Sequence, residues 1–298
     1  MPIPEAQLET WSHQGSRIQS ASTYGTIKAV LEDPRASYSA RNTKVFLQGS
    51  YCNDTNIRTE SDVDIVIVYQ DAFFKDIADL PSDQINAFNA SHSDGTYPYN
   101  DFKRAVHTQL ASAFPNSVTN DVKALRIAPN DNRRSADVIV AFRYRRYSKF
   151  RTLLDENHVT GICFKLDDDT EIANYPEQHS VNCTAKHQLT NNCFKPLVRI
   201  FKNMRSKLEN DGFLDPGDAP SYFIEGLLYN APPECFSGDY QQMVLNILNW
   251  LHETTDREDW VCVNEQYYLL RNGDPVCWER AKGEKFIDAV INLWNDWE

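Results

Sequence analysis

VFLQGSYCNDTNIRTESDVDIVIVY, residues 45–69, is the stretch of sequence that decides the fold. It begins and ends in apolar, β-branched runs that have the length of buried strands. Gly49-Ser50 follows the first run, and Asp62-x-Asp64 opens the second. The segment therefore predicts two strands, with small and polar residues after the first and carboxylates at the start of the second.

The two carboxylates suit a metal ion. Residues i and i+2 of a strand point to the same face, so Asp62 and Asp64 project together, about 6–7 Å apart along the strand. A lone Asp-x-Asp pair is more often a solvated strand end. Here the strand that follows is apolar on both faces, and uncompensated charges at its edge are costly. Asp137, the acid before the apolar run VIVAF, is the candidate third ligand or base.

Gly49 and Ser50 suit a phosphate. Glycine allows close backbone approach and unusual φ values, while serine offers an amide N–H and a hydroxyl to the β- and γ-phosphates of a triphosphate. A Gly-Ser pair alone carries little information. Combined with the Asp pair twelve residues later, it indicates nucleotidyl transfer on a metal ion.

Composition limits the classes of protein. The chain has 298 residues, of which 41% are hydrophobic and 24% charged, as in a soluble globular enzyme. Its first residues lack a secretory signal, its apolar runs are too short to span a membrane, and its seven cysteines form no framework. We therefore expect reduced thiols and a cytoplasmic location. The net charge of −12 argues against an extended grip on nucleic acid.

The pattern of elements predicts an α+β protein with two lobes. A first helix should cover residues 5–32, pack across both lobes and stop at Asp33-Pro34. Alternation and β-branched runs predict strands at 44–48, 62–69, 122–127, 135–144, 161–166 and 171–173, and a helix at 101–113. Helical periodicity predicts helices at 195–210, 221–229, 240–252 and 278–297. We expect a catalytic lobe at 1–150 and a mostly helical lobe at 151–298.

With these motifs the chain resembles the DNA-polymerase-β-like nucleotidyltransferase superfamily, whose hallmark is GS, DxD and a third Asp on a later strand. Within it, the chain resembles the bacterial cGAS/DncV-like nucleotidyltransferases, in particular clade E, some of whose members accept pyrimidine nucleotides. The phrases NYPEQHSVNCTAKHQLTNNCFKPLVRIFKNMR and APSYFIEGLLYN also carry the likeness, which covers nearly the full chain. It implies a central mixed sheet, a helical C-terminal lobe and an active site in the cleft between the lobes.

The resemblance also implies roles for individual residues. Asp62, Asp64 and Asp137 would bind two Mg²⁺ ions, with Mn²⁺ as an alternative, and Asp137 would help to deprotonate the attacking hydroxyl. The implied nucleotide-binding residues are Gln48, Gly49, Ser50, Lys202, Ser221 and Tyr222.

Three of these residues also make physical sense outside the family. Lys202 shares a helical stripe with Arg199 and Arg205, although such a stripe is more often a solvated face. Ser221 lies where a helix begins, and helix N-termini attract phosphate. Tyr222 can stack on a base, although plain packing is commoner there.

The activity that the resemblance implies is condensation of ribonucleoside triphosphates, ATP with UTP or GTP, into a cyclic dinucleotide or trinucleotide. Pyrophosphate is released, and a separate effector reads the product in anti-phage signalling. One alternative is transfer of nucleotides to RNA or protein, and another is a catalytically silent nucleotide-binding module. The acidic charge weakens the RNA version, and three intact carboxylates weaken the silent one. Bases, ring size, linkage, activating signal and oligomeric state stay open.

Two weaker signals remain. Asn174 can read the Watson–Crick edge of a base, although a turn-forming asparagine is at least as common. His179, Cys183, His187 and Cys193 have residue types that suit zinc, but their spacing favours coincidence.

Overall fold

The computed structural model describes residues 1–15, 18–58 and 62–297. These residues form two compact units, each assembled from separate parts of the chain. The sheet unit contains the described residues of 18–48 and 61–176, and the helical unit contains those of 1–17, 49–60 and 177–298. Among all of them, no helix is long and apolar enough to cross a membrane. All seven cysteines are free thiols.

The sheet unit is built on a seven-stranded mixed sheet. Its strands are β1 (Thr43–Leu47), β2 (Val63–Asp76), β3 (Val118–Asn120), β4 (Leu125–Ile127), β5 (Ala136–Thr152), β6 (Asp155–Lys165) and β7 (Glu171–Asn174). The order is β1-β2-β5-β4-β3, with β6 paired to β5 and β7 paired to β6. Only β2 and β5 run parallel among the pairs in the described residues. The expected mixed sheet is confirmed.

The apolar runs lie where the periodicity places them. Along β2, Val63 and the run from Ile65 to Tyr69 are buried, which requires cover on both faces of the sheet. The predicted strand at 122–127 is instead a hairpin of β3 and β4, because the chain turns between Asn120 and Leu125.

Three helices belong to the sheet unit: α2 (Ile18–Leu31), α4 (Ser82–Ser91) and α5 (Tyr99–Ala113). In α5 the side chains of Phe102, Val106 and Leu110 recur at four-residue steps and are 0% exposed. Helix α4 lies in a polar stretch, and we predicted no helix there. Phe88 is its one fully buried side chain, so the sequence shows no helical periodicity of apolar residues.

The helical unit contains α1 (Glu5–Ser12), α3 (Gly49–Cys52), α6 (Pro176–Leu189), α7 (Phe194–Asn210), α8 (Ser221–Tyr229), α9 (Tyr240–Glu253) and α10 (Arg280–Asn295). Residues of all these helices except α3 contribute to one apolar core. Helix α6 was missed as a helix because its buried positions are His179, Cys183 and Lys186, which show no apolar period.

The prediction of one continuous helix over residues 5–32 is wrong. Helix α1 ends at Ser12, and His13 has extended backbone angles (φ −75°, ψ 143°). Gly15 then donates its amide to the carbonyl of Asn56 at 3.2 Å. A Cβ at Gly15 would lie 2.8 Å from the carbonyl oxygen of Ile57, so the close approach requires glycine.

The units also divide the chain differently from the expected boundary at residue 150. Strand β6 pairs with the second half of β5, and β7 pairs with β6, so both stay in the sheet unit. The helical unit resumes only at Glu177. It also includes two earlier segments, which the helical periodicity after Pro176 gave no reason to expect.

Candidate active site

The carboxylates meet on the sheet unit. Asp64 on β2 and Asp137 on β5 are register partners in the parallel pair, so their side chains share one face. Asp62 lies two residues before Asp64, just ahead of β2. Asp62 also raises the pKa of Asp137 through charge repulsion, as expected of neighbouring carboxylates. The fold thus brings the three acids together.

Asp137 is the most perturbed of these acids. Burial is the main cause that raises its pKa, and the charge of Asp62 adds to it, while Arg126 opposes both. Its Oδ1 atom is buried and has no hydrogen-bond partner among the described residues. A buried carboxylate oxygen without a donor indicates a site that is completed by a cation.

Sequence reasoning missed Arg126. It lies opposite Asp137 in the β4–β5 pair, and its guanidinium is 3.9 Å from the carboxylate of Asp62. Half of its side chain is exposed, so this pair contributes little to stability. Side chains alternate along β4, so Arg126 points away from the face on which Leu125 and Ile127 are buried. This alternation could have placed Arg126 on the same face of the sheet as Asp137.

The donor set fits magnesium. Carboxylate oxygens are hard ligands of the kind that Mg²⁺ prefers, and the unpartnered Oδ1 of Asp137 supplies one of them. Gln48 lies beside the carboxylate cluster, since its main-chain N–H donates to the main-chain carbonyl of Asp64 at 2.9 Å. The Oε1 atom of Gln48 is also buried without a hydrogen-bond partner in the described part of the chain.

We expect Asp137→Asn to stabilise the metal-free protein by about 1 kcal/mol at neutral pH. The folded pKa of Asp137 lies above its ordinary value, so ionisation lowers the free energy of unfolding as the pH rises. The gain should be largest at neutral pH and vanish below about pH 4. Urea denaturation at several pH values measures it. Asp155→Asn is the control, since Lys149 lowers the pKa of that exposed carboxyl, and it should bring no gain. Equal gains in both variants would contradict the prediction.

The Gly49-Ser50 turn belongs to the helical unit. Gly49 has φ +68°, in the left-handed region that favours glycine, and it begins the single turn α3. The carbonyl of Ser50 accepts the amide of Thr55 at 2.9 Å, which fixes the loop after the turn. The backbone is therefore shaped before any ligand arrives.

We expect Gly49→Ala to destabilise the protein by about 1–2 kcal/mol, because a Cβ is strained at this φ. Gly25→Ala is the matched control: Gly25 lies inside α2, and a Cβ there meets nothing within 4 Å. That change should stabilise the protein by about 0.5–1 kcal/mol. Thermal denaturation of both variants measures these changes in stability, which should have opposite signs. A loss of stability of similar size in both variants would contradict the prediction.

The basic stripe of α7 is internal, whereas helical position alone favoured a solvated face. Lys202 is 0% exposed and donates from Nζ to the carbonyl of Thr55 at 2.9 Å. Arg199 donates to the carbonyls of Ser12 and Asp54, and Arg205 to the carbonyl of Ala219. Two of the three cations thus hold the loop that follows the Gly49-Ser50 turn.

Ser221 and Tyr222 open α8, as the sequence predicts. The ring of Tyr222 lies 5.2 Å from the ring of His179, tilted by 30°, and its hydroxyl accepts from Nδ2 of Asn264 at 2.9 Å. Tyr222 is nevertheless 36% exposed. One face of the ring is held by the protein, and part of the side chain is accessible.

Sequence reasoning also missed Glu225, which is 3% exposed. It accepts from the hydroxyl of Thr55 and lies 2.7 Å from Nε2 of His179. Burial raises its pKa, but His179, Lys202 and Thr55 together outweigh burial, so the pKa stays below its usual range. A lone acid on an otherwise apolar helix was the available signal.

The four zinc-type residues are only partly brought together. The ligand atoms of His179, Cys183 and Glu225 lie within 4.8 Å of one another in a buried cluster. His187 accepts through Nδ1 from the amide of Lys195, and Cys193 precedes α7 with its thiol on the carbonyl of Asn191. The 2.7 Å contact between His179 and Glu225 is a hydrogen-bond distance.

Asn174 ends β7 in the sheet unit. Its side-chain oxygen accepts the amide of Tyr175 at 2.8 Å, which is a local turn contact. The side chain is half-buried.

Comparison with known proteins adds the family. Residues 27–124 match the nucleotidyltransferase domain, and residues 181–295 match the cGAS/DncV-like nucleotidyltransferase C-terminal helical domain. The chain is 37% identical to a cyclic UMP-AMP synthase of Rhodothermus marinus, covering 100% of this chain and 99% of that one. It is 35% identical to a cyclic dipurine nucleotide synthase of Elizabethkingia meningoseptica, covering 95% of this chain and 96% of that one.

A solved structure agrees. The Rhodothermus marinus CdnE c-UMP-AMP synthase, determined with Apcpp and Upnpp, superposes with a TM-score of 0.88 at 34% identity. The superposition covers 99% of this chain and 98% of that chain. The likeness therefore extends through both matched domains.

Proposed function

The chain belongs to the cGAS/DncV-like nucleotidyltransferases and is similar to their clade E, and from this premise we propose that it condenses two ribonucleoside triphosphates into a cyclic dinucleotide. Its relatives are named cyclic nucleotide synthases. The observation that carries the proposal is the cluster of Asp62, Asp64 and Asp137, in which Asp137 keeps a buried oxygen without a donor among the residues that the structure describes.

In this proposal Asp62, Asp64 and Asp137 hold two Mg²⁺ ions, with Mn²⁺ as an alternative. When bound, such ions stabilise charge on the transferring phosphoryl group and on the pyrophosphate leaving group. Asp137 also accepts the proton of the attacking ribose hydroxyl, as a general base beside the reacting group.

The residues of the helical unit bind the substrate. Backbone amides of the Gly49-Ser50 turn bind the triphosphate, together with the hydroxyl of Ser221 at the start of α8. The buried ammonium of Lys202, held by the carbonyl of Thr55, supports this binding through its positive charge. Tyr222 stacks on a base with its accessible surface. Gln48, the last residue of the first segment of the sheet unit, also binds the nucleotide and directly precedes the Gly49-Ser50 turn in the chain.

The reaction proceeds in two transfers. The ribose hydroxyl of one nucleotide attacks the α-phosphate of the other, and the bond to pyrophosphate breaks. The linear dinucleotide then rebinds in the reversed orientation, and the second hydroxyl attacks the remaining α-phosphate. Two pyrophosphates leave for each ring that forms.

The bases need a separate argument, because one relative is named for UMP and AMP and another for two purines. We propose ATP with UTP, in the cytoplasm, as an anti-phage signal that a separate effector protein reads. Asn174, whose oxygen is engaged by Tyr175, is the first residue to test for base choice.

The test uses each α-³²P-labelled triphosphate, alone and in pairs, with Mg²⁺ or Mn²⁺, followed by phosphatase. Small, cyclic, phosphatase-resistant products support the proposal. Label on added RNA or protein, without cyclic product under any pairing, would overturn it in favour of a macromolecular acceptor. The Asn174→Ser variant, assayed with the same pairs of triphosphates as the wild type, should prefer a different pair of nucleotides.

A further inference from the structure

We propose that Glu225 is a positioning residue that sets the geometry of the nucleotide-binding groups of the helical unit. The inference rests on the proposed function, since it takes Lys202, Tyr222 and the Gly49-Ser50 turn as groups that bind a nucleoside triphosphate. Glu225 acts through other residues, by two chains of contacts that begin at its two carboxylate oxygens.

The first chain runs through Thr55, which uses three polar groups at once. Its hydroxyl donates to Oε1 of Glu225, and its carbonyl accepts from Nζ of Lys202 at 2.9 Å. Its amide donates to the carbonyl of Ser50 at 2.9 Å. Oε1 of Glu225 therefore fixes Thr55, and Thr55 joins the buried Lys202 of α7 to the Gly49-Ser50 turn.

The second chain runs through His179. Its Nε2 lies 2.7 Å from Oε2 of Glu225, whereas its Nδ1 is buried without a hydrogen-bond partner among the described residues. Nε2 donates this hydrogen bond, since a carboxylate oxygen can only accept it. This hydrogen bond fixes the plane of the imidazole, and the ring of Tyr222 packs 5.2 Å from it. The other oxygen of Glu225 therefore sets the tilt of the ring that stacks on a base.

A role in positioning accounts for the network better than stability alone. Glu225, His179 and Lys202 lie on three different helices, α8, α6 and α7, and are all buried. Buried charged groups gain little over well-packed apolar side chains of similar volume. A buried hydrogen-bonded network instead specifies one arrangement of the groups it joins.

The test separates positioning from folding with a matched pair of variants. Thr55→Val keeps the size of the side chain and the carbonyl that holds Lys202 but removes the hydroxyl. Thr55→Ser keeps the hydroxyl. We expect Thr55→Val and Glu225→Gln each to raise the Kd for a non-hydrolysable ATP analogue about tenfold, and the KM for ATP equally. The kcat should stay within about threefold, and Thr55→Ser should restore both values.

The control for lost buried hydrogen bonds is Asn230→Ala, which removes contacts to the carbonyls of Gly226 and Val261 at the end of the same helix. It should lower the melting temperature without changing the Kd. The double variant Thr55→Val/Glu225→Gln should weaken binding less than the product of the single effects, because both act on one hydrogen bond.

The outcomes distinguish this inference from the proposed function. An unchanged Kd in Thr55→Val, or an equal rise in Thr55→Ser or Asn230→Ala, would overturn the inference even if cyclic product forms. If the wild type binds the analogue but makes no cyclic product, the proposed function fails, and the comparison of Kd values still decides the inference. A wild type that binds no triphosphate would overturn both.

Discussion

Asp62→Asn combined with Asp64→Asn will lower nucleotidyl transfer by at least about 10³-fold while leaving the protein folded. Asparagine keeps the size of aspartate but removes the charge that neutralises a divalent ion. Both side chains are half-exposed, so the loss of charge should cost little stability. Release of labelled pyrophosphate measures the rate, and circular dichroism with thermal denaturation measures the fold.

The control for this prediction lies on the same strand. Asp76 is near the far end of β2, where its carboxylate accepts from the hydroxyl of Tyr144 at 3.3 Å. Asp76→Asn retains an acceptor there and should leave the rate within about twofold. Activity of the double variant above a few per cent of the wild type would mean that these carboxylates do not hold the catalytic ions.

The second large effect concerns Lys202. Lys202→Met removes the buried cation and its hydrogen bond to Thr55, the residue that holds the Gly49-Ser50 turn, so triphosphate affinity should fall by about 10²-fold. The protein should also lose about 3 kcal/mol of stability, because the buried carboxylate of Glu225 loses a compensating charge. Isothermal titration with a non-hydrolysable triphosphate and urea denaturation measure the two effects separately.

Lys186 provides a close match for Lys202. It is also a buried helical lysine, and its Nζ donates to the carbonyl of Ala231 at 2.6 Å, but Thr55 and Glu225 are not its hydrogen-bond partners. Burial lowers the pKa of Lys186, so methionine should be tolerated there within about 1–2 kcal/mol. Lys186→Met should leave triphosphate affinity unchanged. An equal loss of triphosphate affinity in Lys202→Met and Lys186→Met would contradict the prediction, because the loss would then follow from a disturbed fold and not from a specific role of Lys202.

The sheet and its carboxylates could be predicted because they depend on local pattern. A period of two places Asp62 and Asp64 on one face, and the apolar run after Asp137 predicts the neighbouring strand. The register that pairs Asp64 with Asp137 is a long-range property, and the family resemblance supplied in advance only the grouping of the three acids. The structure then gave it directly.

The surroundings of the nucleotide-binding groups were harder to predict for physical reasons. Lys202 looked like a solvated cation, because a helical stripe of basic residues is the same in sequence whether it faces water or main-chain carbonyls. Thr55 lies in a loop and shows no period. Helix α6 buries His179, Cys183 and Lys186, so its inner face has no apolar signal. A helix face that buries polar side chains shows no hydrophobic periodicity, so its burial cannot be predicted from the pattern of apolar residues.

The split composition of the helical unit has a consequence for biosynthesis. Its first two segments, within 1–17 and 49–60, leave the ribosome before any of 177–298 exists. The sheet unit has all of its strands once Asn174 has emerged, so it can fold during translation. The loop after the Gly49-Ser50 turn is fixed only once Lys202 and Glu225, which hold Thr55, have been synthesised. A nascent chain arrested before α8 would therefore contain the carboxylate cluster of the sheet unit but not the Glu225 that holds Thr55 beside the Gly49-Ser50 turn.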